Sequence, residues 1–281
     1  MTKTDKRSEK NLFWKIILRQ TVYFIRETPI SWLFGLFLSL PTIAVIILES
    51  FFSQFQETDP LLIAPKIMGI FLFAFFLFFI SESGLILSFK KNTYSPIEHI
   101  AATGALLRWY FLFLLILLAF FAIFFSPLIA APEEARSILK YICLIFFLLI
   151  ACIAFIMKMF GEFYLILSRL SLRNALRSSA NLFTNHSSLS AATLIITSLL
   201  SVFVSFALTT LHAYLRFPLS EGLLLNTLII SFVLALSSCF HIFFRAFWYF
   251  FFQAIAGEKP NSWQKEKKMV EESMVPAEDE A

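Results

Sequence analysis

The sequence predicts an all-α, polytopic membrane protein: six transmembrane helices joined by three cytoplasmic interfacial amphipathic helices in a pseudo-threefold repeat. Three observations carry this prediction. Of 281 residues, 59% are hydrophobic and only 15% charged, with a mean hydropathy of +0.79; soluble domains carry about 25% charged residues. Six stretches approach or exceed the roughly 20 apolar residues needed to cross a bilayer. Basic residues alternate between the segments joining them.

The spans are expected at Ser31–Phe52, Ile67–Ser88, Trp109–Ala131, Tyr141–Phe163, Leu189–Tyr214 and Leu224–Phe252. Helices satisfy their own backbone hydrogen bonds in lipid, and the period-2 alternation of a membrane barrel is absent. One set of connecting segments holds 17 basic residues, including Lys15, Arg19, Lys90, Arg108, Arg169, Arg173, Arg177 and Lys259. The other holds four: Lys66, Arg136, Lys140 and Arg216. The positive-inside rule therefore predicts both termini in the cytoplasm.

The expected organisation is a disordered basic N-terminus over 1–10, one transmembrane domain over 11–256 and a disordered tail over 257–281. Outer loops at 53–66, 132–140 and 215–223 are too short for a domain of their own. The N-terminus mixes apolar residues with charge and lacks the pattern of a cleaved signal peptide.

The segments on the basic side have helical patterning. Residues 11–28 set Leu12, Trp14, Ile16, Ile17, Val22, Phe24 and Ile25 among Lys15, Arg19 and Arg26. Ser95-Pro96-Ile97-Glu98 reads as a capping box with proline at the first helical position. From Ser171, Leu172, Ala175, Leu176, Ala180 and Phe183 recur at helical spacing with Arg173 and Arg177 opposite. Such helices suit an anionic inner leaflet, so membrane lipids are the expected partners, with a membrane protein as a further candidate.

Each precedes a pair of spans. SESGLILS (81–88) is echoed by GEFYLILS (161–168): Glu82 and Glu162 lie 80 residues apart, Ser95 and Ser171 76, Trp32 and Trp109 77. Three parallel repeats of about 77 residues, near 11–88, 95–163 and 171–252, account for most of the chain.

TPISWLFGLFLSL and SLRNALRSSANLFTNHSSLSAATLIITSLL, with the Ala-Leu-x-x-Ser pattern at Ala175-Leu176-Arg177-Ser178-Ser179, carry a resemblance in pattern over residues 11 to about 256. They resemble the six-span membrane domain attached to some bacterial glycerophosphodiester phosphodiesterases, and its free-standing relatives. The resemblance implies a membrane scaffold. It does not imply a hydrolase, because the accompanying catalytic domain, with its His-Arg pair, has no counterpart here.

Ionisable groups within spans mark candidate sites. Glu82, Lys158, Glu162 and Arg245 fall toward the cytoplasmic ends, where long side chains snorkel, and Lys158 and Glu162 are spaced to pair. Ser237, His241, Arg245, Tyr249 and Gln253 recur every four residues along the sixth span, a stripe expected to face the bundle interior. The candidate ligand-binding residues are thus Glu82, Glu162, His241, Arg245 and Tyr249. A satisfied structural seam outweighs the alternative, a cytoplasm-open polar cavity for an anionic ligand in a small transporter or lipid-handling protein. Thr197, Ser201, Ser205 and Thr209 in the fifth span read as a packing stripe.

No HExxH, P-loop or GxGxxG is present. Ser83-Gly84 and His241 lack the setting of an intramembrane serine protease. Cys143, Cys152 and Cys239 form no CxxC and lie in apolar runs, so neither disulfide frame nor zinc site is expected. No aromatic platform accompanies the basic residues, which argues against nucleic acid. The expectation is a non-enzymatic membrane protein without cofactor or metal.

Overall fold

The computed structural model describes residues 3–40, 60–89, 95–126, 132–214 and 223–257; the expected tail over 257–281, apart from Gly257, lies outside them. Among the described residues every regular element is an α-helix. In chain order they are α1 (Lys3–Glu27), α2 (Pro29–Leu40), α3 (Pro60–Ser88), α4 (Pro96–Phe125), α5 (Glu133–Ile166), α6 (Leu172–Asn185), α7 (Ser187–Tyr214) and α8 (Leu223–Ala256).

Among the described residues four helical stretches are long and apolar enough to cross a membrane: Pro96–Phe125, Ile138–Ile166, Ser187–Ala207 and Ser231–Ala256. Pro29–Leu40 and Leu72–Ser88 are shorter apolar helices. Large apolar side chains along these helices are turned outward, among them Phe73, Ile145, Val202 and Phe206, the last 70% exposed. Water would penalise so many exposed aromatics, whereas hydrocarbon does not. The chain is a membrane-embedded protein.

α1 is longer than its expected counterpart. It begins at Lys3 and takes in residues anticipated to be disordered, because the polar stretch DKRSEK contains no helix breaker. It docks on α8: Trp14 lies parallel to Phe247 and Phe251, each at 6.0 Å between ring centroids. Ile17 and Phe24 are buried, while Val22 and Tyr23 are exposed.

The second interfacial segment is not a separate helix. Pro96–Phe125 runs unbroken from that segment through the span. Nothing between Pro96 and Trp109 stops it, since one interior glycine (Gly104) costs only about 1 kcal/mol. Nor does the anticipated capping box form. Ser95 has extended backbone but makes no capping bond, and the Glu98 carboxylate accepts from Arg169 at 2.7 Å. α4 is tied to α3 by His99 Nε2, 2.6 Å from the Ile80 carbonyl, and by Ser83 and Thr103 hydroxyls 2.7 Å apart.

α5 ends three residues beyond the expected span, so Leu165 and Ile166 belong to its last turn. Arg169 then adopts a left-handed φ of 52°, and the Leu170 N–H reaches back to the Tyr164 carbonyl at 3.2 Å. The bond reaches back six positions, one more than a Schellman turn closes, and arginine holds the left-handed conformation that glycine usually supplies after a helix. Ser171 then opens α6 as the sequence predicts, its hydroxyl accepting from the Asn174 N–H at 3.4 Å. α6 buries Ala175, Ser179 and Leu182 and exposes Arg173 and Arg177. Ser171→Ala is expected to lower stability by about 0.5–1 kcal/mol, read as a small fall in the melting midpoint of purified protein.

In α7 the structure buries Ser190, Thr193 and Thr197 and leaves Ser205 exposed. The expected stripe does not stay on one face. Each four-residue step overshoots a full turn by about 40°, so a row of four rotates away from its neighbours.

Candidate functional site

The site grows out of two close helix contacts. Gly161 of α5 lies directly under the Trp109 ring of α4; a Cβ there would stand 2.6 Å from Trp109 Cη2 and 2.7 Å from Cε2. The indole N–H donates to the Lys158 carbonyl at 3.1 Å, so the ring is wedged against α5 and held by its own polar edge. Glycine is required at 161 by space and not by backbone conformation. The second contact sets Phe34 of α2 against Gly84 of α3, where a Cβ would stand 2.7 Å from the ring Cδ1.

Beside these contacts α3, α4, α5 and α8 meet at Arg245, which is 7% exposed. Its Nη1 donates to Glu162 Oε2 at 2.6 Å, with Met159 Sδ at 3.0 Å. Its Nη2 forms the ion pair with Glu82 Oε1 and donates to Tyr110 Oη at 3.2 Å. The other Glu162 oxygen, Oε1, takes Lys158 Nζ at 2.8 Å. Lys158 also stands 3.8 Å above the Tyr110 ring, a cation–π contact. Two carboxylates thus meet two cations, and the cluster is neutral.

Burial is close to complete: Glu82 is 2% and Glu162 0% exposed. An isolated charge at such depth is strongly disfavoured, and only partners with good geometry offset the desolvation. The planar guanidinium suits the task because its fork reaches two helices at once. Aromatic side chains enclose the cluster. Phe79 meets Tyr110 edge-on at 4.9 Å, and Phe160 contacts Trp248 at 6.0 Å.

Among the five candidate residues, the structure gathers Glu82, Glu162 and Arg245. Tyr249 lies one turn along α8, stacked on Phe89 at 4.5 Å, and its hydroxyl accepts from Gln253 Nε2. His241 lies one turn the other way, against Phe240, with no ion pair among the described residues. Tyr110 is the member that spacing could not reveal. It adjoins Trp109 in an aromatic run, and only the packing of α4 on α5 turns its hydroxyl toward Arg245. Lys158 follows from its i, i+4 relation to Glu162.

The arrangement can hold four helices in register. It can also, in principle, exchange one carboxylate for an incoming anion, but both guanidinium edges are already engaged. Among the described residues no group of three or more potential metal ligands occurs. The chain matches no family model, no curated protein and no solved structure.

Proposed function

We propose that the protein is a six-span, non-enzymatic scaffold of a bacterial-type inner membrane, with both termini cytoplasmic. In this reading it organises lipid, or a membrane partner, at the inner leaflet. The observation that carries the reading is the saturated, neutral cluster around Arg245. A site built to admit an anion would keep a cation accessible, whereas this one is closed by two carboxylates and a wall of aromatic rings.

Six spans follow when Pro29–Leu40 and Leu72–Ser88 join the four longer helices. α3 alone, with 29 residues, is about 43 Å long at 1.5 Å per residue. The threefold repeat gains support from the origin of the charges. α3, α5 and α8 are the second spans of the three units, and they supply Glu82, Glu162 and Arg245 respectively. Arg245 follows Glu162 by 83 residues, close to the 80 between the glutamates. The third unit thus carries a base where the first two carry acids, and the three copies neutralise one another.

Cysteine labelling in cells tests this reading after the native cysteines are replaced by alanine. Ser262→Cys should react with a membrane-impermeant thiol reagent only after lysis, and Ser53→Cys in intact cells. Ile156→Cys, at a position 2% exposed below the cluster, should stay unreactive in both. External labelling at 262 overturns the topology. Labelling at 156 from the cytoplasmic side reveals a hydrated cavity and replaces the scaffold with a transporter.

A further inference from the structure

A groove of about 880 Å³ lies where the N-terminal turns of α4 meet the α5–α6 junction. It is separate from the Arg245 cluster, and its chemistry is different. Three arginines line it, Arg108 from α4, Arg169 from the junction and Arg173 from the first turn of α6, against one acid, Glu98. The net charge along the lining is +2. The rest of its lining is mostly aliphatic, with Ala101 and Ala105 on the α4 side and Leu165 and Ile166 on the α5 side.

The arginines are not equivalent. Arg169 is committed to Glu98 at 2.7 Å. Arg108 donates its Nε to the Gly104 carbonyl at 3.1 Å, one turn back along its own helix. That bond engages Nε, not the two terminal nitrogens. Among the described residues neither Arg108 nor Arg173 has an ion-pair partner. On the same end of α4, Ile97 and Ile100 are 81% and 74% exposed. Aliphatic side chains so bare beside arginines mark the level where headgroups give way to acyl chains.

We infer that this groove binds the phosphodiester headgroup of an anionic phospholipid, clamped between Arg108 and Arg173, with the start of its acyl chains on the aliphatic lining. Two forked guanidinium groups match a phosphate oxygen pair better than ammonium groups would. The apolar lining requires an amphiphile, which a free phosphate is not. Arg169 acts as a positioning residue: its pair with Glu98 fastens the α5–α6 junction to α4 and sets the width of the groove. The inference rests on the scaffold reading for its membrane side, and gives that reading a specific lipid site.

The test is native mass spectrometry of full-length protein released from detergent containing phosphatidylglycerol or phosphatidylcholine. One phosphatidylglycerol adduct should survive where phosphatidylcholine is stripped. Arg108→Gln/Arg173→Gln should weaken retention by roughly 10- to 30-fold, two contacts at about a factor of five each. Ala101→Trp, which fills the groove without altering charge, should abolish the adduct. Lys15→Gln/Arg19→Gln, equal in charge change but on α1, should leave it intact. Equal retention in the groove variants overturns the inference, as does equal loss in the α1 variant. Competition by millimolar glycerol phosphate as strong as by the lipid would also overturn it, because the groove would then take a soluble phosphate. A lost lipid site with cytoplasmic labelling at Ser262 sinks the groove alone; inverted labelling with the adduct retained sinks the topology alone.

Discussion

Arg245→Ala is expected to destabilise the protein by about 3–5 kcal/mol, the cost of leaving buried carboxylates without their partner. Glu82 loses its ion pair, and Glu162 loses its guanidinium while keeping Lys158. The melting midpoint of the purified variant in detergent measures the effect. A charge-balanced double variant, Glu82→Leu/Arg245→Met, removes one acid and one base and leaves the Lys158–Glu162 pair intact. It should recover most of the loss, because replacing a buried pair by apolar groups of similar size is often neutral. This contrast separates burial of an unpaired charge from simple loss of packing. If Arg245→Ala melts within about 1 kcal/mol of the parent, the carboxylates are solvated. The cluster is then an open polar cavity, and the transporter reading gains.

The second large effect belongs to Gly161. Any Cβ at that position overlaps the Trp109 ring, which is fully buried and tethered to the Lys158 carbonyl. The ring cannot swing aside cheaply, since Phe113 lies 4.8 Å away. Gly161→Leu should therefore force α4 and α5 apart and cost about 3 kcal/mol or more. Gly69, whose Cβ would meet nothing within 4 Å, provides the control: Gly69→Leu should leave stability nearly unchanged. The pair is read by the fraction of protein remaining monodisperse after heating. Equal behaviour of the two variants would refute the wedge. Trp109→Phe is informative beside them, because it preserves most of the ring volume but removes the N–H donor. It should cost about 1 kcal/mol, the net worth of one hydrogen bond.

Much of the architecture is legible in the sequence, and the failures have identifiable causes. The apolar runs and sparse charge announce membrane helices directly, because the bilayer imposes length and hydropathy on each span independently of its neighbours. The Ser171 start is legible because a cap is a local event within four residues. The extent of α4 is not. A proline after a serine signals a helix start in that sequence, but no local signal says whether the helix stops before Trp109 or continues. The α7 stripe misleads for another reason: four-residue spacing identifies neighbours along a helix, and which of them face protein depends on where α8 and α6 lie.

The candidate site divides the same way. Glu82, Glu162 and Arg245 stand out because a charge in an apolar run needs a partner, and only a few are available. Tyr110 does not stand out among seven tyrosines and 37 phenylalanines; its role depends on the rotation of α4 against α5. Tyr249 and His241 share the Arg245 spacing and flank the cluster without belonging to it. The groove bounded by Arg108 and Arg173 escapes sequence reasoning altogether, since those residues are 65 apart and meet only through the turn at Arg169.

The assembly of the Arg245 cluster also sets an order on biosynthesis. Arg245 is made 163 residues after Glu82, an interval of about 8–30 seconds at ordinary rates of translation. For that time Glu82 has no Arg245 to pair with. The cluster therefore closes only once the last span is made. A chain that stopped before α8 would carry Glu82 and Glu162 without the guanidinium that pairs with both.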